Sequence, residues 1–361
     1  MVGNNTPVFF LRDPLKFPDF IHSQKKDPRT NLPDPANHYE FWSNHPQSLH
    51  QITILMSDRG IPASLRNING YSSHTLSFWN AEGVRYWVKW HFKTNQGIKC
   101  LSAEEASRKP ANFHQQDLVD AIDKGQFPGW TVKVQIMTTA EAKTYRINPF
   151  DLTKVWAHKD YPLIEIGQME LNRNVTNYFA ETEQAAFSPS NLVPGIGVSP
   201  DKMLQARLLA YQDAHNYRIG ANANQLPINA PIAAVNHYQR DGAMAGGSLS
   251  SGGQMNADPV NFYPNDRGES GAPVPDASVA EPPMPIEEEA WIKTYNTIDD
   301  NHYEQAGDLF RIMSAGQKEQ LAGNIAGGLS QATPSVQARM LEQFALADPD
   351  YADLVKKAMG S

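Results

Sequence analysis

The sequence predicts an α+β protein with an antiparallel sheet first, a long irregular stretch next and a helical unit at the end. Three observations carry this. Between residues 75 and 138, β-branched and aromatic runs alternate with turn signals. From about residue 145 to 285, Pro, Gly and Asn interrupt every periodic pattern, the mark of a segment that wraps other structure. From Trp291 onward, apolar residues recur at three- and four-residue spacing. The expected units are therefore 1–145, 146–290 and 291–361.

Taken in order, Gly3-Asn4-Asn5 is turn-prone and leads into a short apolar strand, with no basic leader ahead of it. Gln51 to Leu55 (QITIL) reads as a β-branched strand closed by the turn Asp58-Arg59-Gly60. Thr75 to Trp79 and Arg85 to Lys93 flank Asn80-Ala81-Glu82-Gly83, the signature of a hairpin with a longer loop. Asn112 to Lys124 reads as a helix ended by Gly125. In Trp130 to Thr138, Trp130, Val132, Val134 and Ile136 share one face and Lys133 and Gln135 the other. Antiparallel strands with one helical insertion favour a barrel or sandwich over a parallel α/β sheet.

Within the irregular stretch, Ser199-Pro200 reads as an N-cap and first helical residue, with the helix running to about Gln212. Gly246 to Gly253 is a Gly/Ser patch, and Glu287-Glu288-Glu289 reads as a solvated helix start. At the end, Ser314 to Ile325 and Pro334 to Ala345 are helical, and Asp348-Pro349 opens a last short helix.

Composition narrows the function. The 361 residues leave room for two domains, and 31 Lys+Arg against 39 Asp+Glu give a net charge of −8. That balance argues against nucleic acid as a partner, since phosphate neutralisation needs a basic surface. No run reaches 18 apolar residues, so no membrane-spanning helix is expected. The single cysteine, Cys100, excludes an internal disulfide framework and favours the cytoplasm, with the periplasm left open.

The sharpest chemistry lies in Arg207-Leu208-Leu209-Ala210-Tyr211-Gln212-Asp213-Ala214-His215. Arg207 and Tyr211 are four apart and share a helix face. A guanidinium one turn from a phenol favours the phenolate, which is a ligand for a strong Lewis acid such as ferric haem iron. The same spacing equally describes a surface Arg stacked on a Tyr ring.

This segment is similar to the proximal motif R-x-F-x-Y-x-D-[AST]-[QEH] of the monofunctional haem catalases, with Leu209 where that family usually has Phe. VGNNTPVFFLRDPLKFPDFIHSQK (2–25), SLHQITILMSDRGIP (48–62), NPFDLTKVWAHKDYPL (148–163) and SPDKMLQARLLAY (199–211) agree with it in order. The chain thus resembles the small-subunit, NADPH-binding catalases along essentially its whole length.

The resemblance implies an antiparallel β-barrel, incomplete here, with a long wrapping segment and a C-terminal helical domain. It implies disproportionation of hydrogen peroxide to water and oxygen, as protection from oxidative stress, and assembly as a homotetramer. Tyr211 would ligate the iron of haem b and Arg207 would hold it as phenolate. His74 and Asp201 would stand behind that arginine, Arg218 would pair with a propionate, and Phe17 would stack on the porphyrin. Asn4 would be the catalytic amide. His50, Ser57, Arg59, Asn69, Lys93, Trp156 and His158 match positions that bind NADPH.

The resemblance also implies a peroxide-side histidine ahead of Gly3-Asn4-Asn5-Thr6, and none of the 11 histidines stands in that motif. The expectation is a truncated chain, the C-terminal three-quarters of a catalase, with an open sheet, weak haem binding and impaired activity. The alternative is an inactive haem-binding protein of the same descent or a non-functional fragment.

Overall fold

The computed structural model describes residues 4–233, 262–266, 276–284 and 300–360. Three helices come first, α1 (Phe17–Gln24), α2 (Pro35–Ser43) and α3 (Leu49–Met56). The strands β1 (Gly70–Tyr71), β2 (Leu76–Trp79) and β3 (Arg85–Thr94) follow, then α4 (Ala103–Ser107) and α5 (Phe113–Asp123). Next come β4 (Gly129–Thr138), α6 (Thr139–Thr144), β5 (Ile164–Glu170), β6 (Ile196–Gly197) and α7 (Lys202–Arg218). The chain ends in α8 (Glu304–Ile312), α9 (Ala315–Leu329), α10 (Pro334–Ala347) and α11 (Pro349–Met359). Among the described residues, no helix is long and apolar enough to cross a membrane.

The strands form one antiparallel sheet in the order β5-β4-β3-β2-β6, with β1 also paired to β3. The α+β class holds, and so does the expected hairpin: β2 and β3 pair from Trp79↔Arg85 to Leu76↔Val88. Gly83 takes φ +77 in its loop, a left-handed conformation that costs glycine little. Gly125 ends α5 in the same way, at φ +71.

Both faces of β3 are covered, because alternate residues serve two different layers. On one face Val88 and Trp90 join Leu76 and Phe78 of β2 and pack against Leu204 and Leu208 of α7. On the other, Arg85, Trp87, Lys89 and His91 are buried. Burial of Lys89 and His91 therefore follows from a second layer above the sheet. In β4 the same two-sidedness overturns part of the expected alternation: Gln135 is 1% exposed and Ile136 36%.

The stretch Gln51 to Leu55 is helical, within α3, and not a strand. Leu49 and Ile52 belong to a core with Phe10, Trp42, Phe310, Leu321, Ile325, Met340, Phe344 and Tyr351. Thr53 Oγ1 donates back to the Leu49 carbonyl at 2.8 Å and meets the Tyr351 hydroxyl at 3.3 Å. Packing against helices some 300 residues away outweighs the β-branched propensity. The segment after Asn5 is not a strand either: Asn4 makes a single antiparallel bridge to Tyr71 and the chain then bends away.

Two organisational readings change as well. The sheet extends past residue 145, since β5 and β6 pair with β4 and β2. The core just named joins α2 and α3 to the C-terminal helices, so the first third is helical as well as β-rich. Helix α7 begins after Asp201, not at Ser199-Pro200, and continues to Arg218 rather than stopping at Gln212. The terminal helices start where expected, α9 with a Ser314/Gln317 capping box and α11 capped by Asp348. Gly246 to Gly253, Glu287 to Glu289 and Trp291 to Asp299 lie outside the described residues.

Candidate active site

Helix α7 organises the site. Asp201 caps it, accepting from the Met203 amide at 2.9 Å and the Leu204 amide at 3.3 Å through Oδ1. Its other oxygen, Oδ2, accepts from His74 Nδ1 at 2.6 Å, and both side chains are buried. Two turns along the same helix, Arg207 Nη2 donates to the Tyr211 hydroxyl at 2.5 Å. The guanidinium carbon sits 4.8 Å from the phenol ring centroid, so the pair combines a charge-assisted bond with cation–π contact.

His74 is presented by the connection between β1 and β2. Ser73, just before it, holds φ +56, a left-handed conformation uncommon for serine. Asn4 is pinned to Tyr71 through both backbone groups, at 2.9 and 2.7 Å. Its side-chain Nδ2 donates to Ser73 Oγ at 3.2 Å.

These residues enclose a cavity of about 370 Å³. Asn4, Phe17, His74, Arg207 and Tyr211 line it together with Phe9, Pro14, Pro18, Leu152, Met203, Ala206 and Ala210. The lining is mainly apolar, with one amide, one imidazole and the Arg–Tyr pair as its polar groups. A neighbouring apolar space of about 260 Å³, walled by Trp90, Phe92, Leu192, Val193 and Leu204, shares His74 and Arg207.

Six of the seven residues expected at the central site, Asn4, Phe17, His74, Asp201, Arg207 and Tyr211, are thus brought together. Arg218 is not in the cavity lining: it donates to the backbone carbonyls of Glu183 and Ala185. Leu209 is 78% exposed, so the departure from the motif at this position takes nothing from the described cavity.

The residues expected to take a dinucleotide also converge. Ser57, Arg59, Asn69, Lys93 and His158 line a cavity of about 460 Å³, and His50, Lys93, Trp156 and His158 line one of about 450 Å³ beside it. Asn69 Nδ2 and Lys93 Nζ both donate to the Tyr71 hydroxyl, at 3.2 and 3.4 Å. Trp156, also in this lining, is 1% exposed. Burial, with Lys154 nearby, pulls His50 down to about 4. Burial, with Lys93 nearby, pulls His91, on the same wall, down to about 3. Both imidazoles are neutral at pH 7.

Two residues of these walls escaped the sequence reading. Ser73 carries no local signal for its left-handed backbone. Lys89 carries none either, since it shares its strand face with Arg85, His91 and Lys93, a pattern that reads as solvated.

The family model described as Catalase matches residues 1–268, and the one described as Catalase-related immune-responsive matches residues 297–359. The chain belongs to the catalase family. It is 51% identical to "Catalase A" of Pseudomonas putida over 364 residues, covering 100% of this chain and 74% of that protein. It is 52% identical to the "Catalase" of the Onchocerca volvulus endobacterium, covering 100% and 73%. Among solved structures, a bacterial catalase superposes with a TM-score of 0.89 at 42% identity, covering 99% of this chain and 72% of that one. Catalase A from Saccharomyces cerevisiae gives 0.86 at 39% identity, covering 99% and 74%.

Catalase relatives at about half identity support a catalase function, and catalases act on hydrogen peroxide. The family implies haem, and this catalase-family chain fits it on its own chemistry. A phenol polarised by a guanidinium faces a largely apolar cavity, which is the donor that ferric porphyrin iron takes and the surface that a porphyrin plane covers.

Proposed function

We propose that residues 1–361 hold haem b in the 370 Å³ cavity through Tyr211 and dispose of hydrogen peroxide there. The observation that carries this reading is the 2.5 Å bond from Arg207 to the Tyr211 hydroxyl at the cavity wall. Bound haem would supply the redox-active iron that converts peroxide to water and oxygen. Arg207 keeps a positive charge against the phenol oxygen and favours its deprotonated, ligating form. Asp201 holds the start of α7 and accepts a hydrogen bond from His74 Nδ1, so the helix and the β1–β2 connection keep one spacing across the cavity. Phe17 covers a porphyrin face and keeps water from it. Asn4, donating one amide hydrogen to Ser73, turns its remaining polar atoms toward the cavity, where they orient peroxide.

Moving a proton between the two peroxide oxygens calls for a general acid–base group, worth roughly 10²–10⁴ in rate. Among the described residues, the histidine lining the cavity is His74, and its Nδ1 is committed to Asp201. Residues 1–361 alone are therefore expected to bind haem and to turn peroxide over at least about a hundredfold more slowly than Catalase A of Pseudomonas putida. A haem-binding protein without turnover is the second reading, favoured by the same engagement of His74. Haem titration followed by the Soret band, beside oxygen release from peroxide, tests both. Tyr211→Phe should abolish the tyrosinate signature in resonance Raman and weaken binding. Unchanged haem affinity in Tyr211→Phe would sink the ligand assignment, and turnover equal to the relative would sink the slow-turnover reading.

NADPH belongs to the same proposal, in the adjoining 460 and 450 Å³ cavities, with Arg59 and Lys93 on its phosphates. So does a homotetramer, for which exposed Tyr178, Phe179 and Phe187 on the irregular stretch offer an apolar surface. Light scattering at micromolar concentration reads its mass.

A further inference from the structure

Ser73 stands where two walls meet. Its carbonyl accepts from Lys89 Nζ at 2.9 Å, and that ammonium also reaches the Lys154 carbonyl at 3.1 Å and lies 5.7 Å from the Trp156 ring centroid. Its hydroxyl donates to the Thr6 carbonyl at 2.9 Å and accepts from Asn4 Nδ2 at 3.2 Å. Ser73 is 2% exposed and Lys89 5%, so neither bond competes with bulk water. The backbone between them is in the left-handed region, at φ +56, which a serine holds only where its surroundings impose it.

Each bond has a distinct consequence. The Asn4 main chain is fixed by Tyr71, but its carboxamide has two free torsions, and the Ser73 hydroxyl restrains them. That hydroxyl has one proton, spent on Thr6, so toward Asn4 it acts as an acceptor and fixes which end of the amide faces it. The hydroxyl points that way only while the Ser73 backbone keeps its left-handed turn, and Lys89 grips the carbonyl at that turn. Lys89 in turn lines the 450 Å³ cavity, whereas Asn4 lines the 370 Å³ one.

We propose that Ser73 is a positioning residue for the Asn4 carboxamide and that Lys89 is the clamp holding Ser73 in place, so that the two cavities are mechanically joined through three side chains. Its link to peroxide chemistry rests on the reading of Asn4 given above. The positioning itself is a property of the chain without any cofactor and is tested there.

The test uses protein labelled with ¹⁵N-asparagine, with Asn4→Asp assigning the Asn4 side-chain amide resonances. Ser73→Gly is the decisive variant, because glycine keeps a positive φ without strain while the hydroxymethyl group, with its bonds to Asn4 and Thr6, is lost. Hydrogen exchange of the Asn4 amide should speed up about tenfold, the worth of one hydrogen bond, while a cooperative melting transition is kept. Lys89→Met, of similar length and apolar, should speed the same exchange. In a Ser73→Gly background, Lys89→Met should add nothing further, since the clamp acts through Ser73. Exchange within twofold of the parent in Ser73→Gly overturns the proposal, as does a Lys89→Met effect of equal size in both backgrounds. If Lys89→Met does not fold, Ser73→Gly alone decides. The functional reading fails on a different observation, unchanged peroxide reactivity of haem-loaded Asn4→Ala.

Discussion

Asp201 and His74, 127 residues apart in the chain, meet at 2.6 Å, and the same aspartate caps the helix that carries Arg207 and Tyr211. One carboxylate therefore sets both the start of α7 and its distance from the β1–β2 connection. Asp201→Ala should cost about 1 kcal/mol for the lost cap and a further 1–3 kcal/mol for a buried imidazole left without its acceptor. Asp201→Asn should keep most of the cap and lose less. Urea denaturation compares the two, and equal losses would show that the cap contributes nothing and that the bond to His74 carries the whole effect.

Arg12 reaches Asp151 at 2.5 Å with both side chains 2% exposed, and it also contacts Asp300. Asp151 is held further by the Thr153 amide and hydroxyl, at 2.8 and 2.7 Å. Arg12→Met leaves that carboxylate buried without its cation and should destabilise by about 3–5 kcal/mol. Arg12→Met with Asp151→Asn should lose less than Arg12→Met alone. A double variant as unstable as the sum of the singles would argue that no coupling joins the pair.

Acid should weaken the fold through its buried imidazoles. Burial holds His50 and His302 at about 4 and His91 at about 3, against 6.5 for the free side chain. Below pH 6.5 the unfolded chain takes protons that the folded chain refuses. Stability is thus full above about pH 6.5 and falls as the pH drops toward 3–4, by up to about 1.4 kcal/mol per pH unit for each imidazole. His302 has both ring nitrogens buried without a hydrogen-bond partner among the described residues. His302→Gln should flatten the melting temperature against pH between 6.5 and 4 by about one proton's share. An unchanged slope would remove His302 from the account.

In the 460 Å³ cavity, Arg59 and Lys93 are the basic side chains of the lining. Arg59→Ala and Lys93→Ala should each raise the Kd for NADPH about tenfold or more, the worth of one charge-assisted bond. Nucleotide fluorescence on titration reads it. If both variants bind as the parent does, phosphate recognition lies elsewhere.

What the sequence determined by itself is what local geometry determines. Positions four apart on a helix must share a face, so Arg207 and Tyr211 were legible as a pair before any fold was known. The β2–β3 hairpin, the glycine ending α5 and the caps of α9 and α11 were legible for the same reason, since each depends on a few adjacent residues. Tertiary structure decided the rest through contacts that no window of sequence contains. It made a helix of Gln51 to Leu55 because helices from the far end of the chain bury Leu49 and Ile52. It moved the start of α7 to Asp201 and gave that carboxylate His74 as its second partner. It turned Arg218 toward two backbone carbonyls, and it bent Ser73 into a left-handed turn under the grip of Lys89. Burial is the common cause: a buried polar group must find a partner, and that partner is chosen by proximity in space rather than by spacing in the chain.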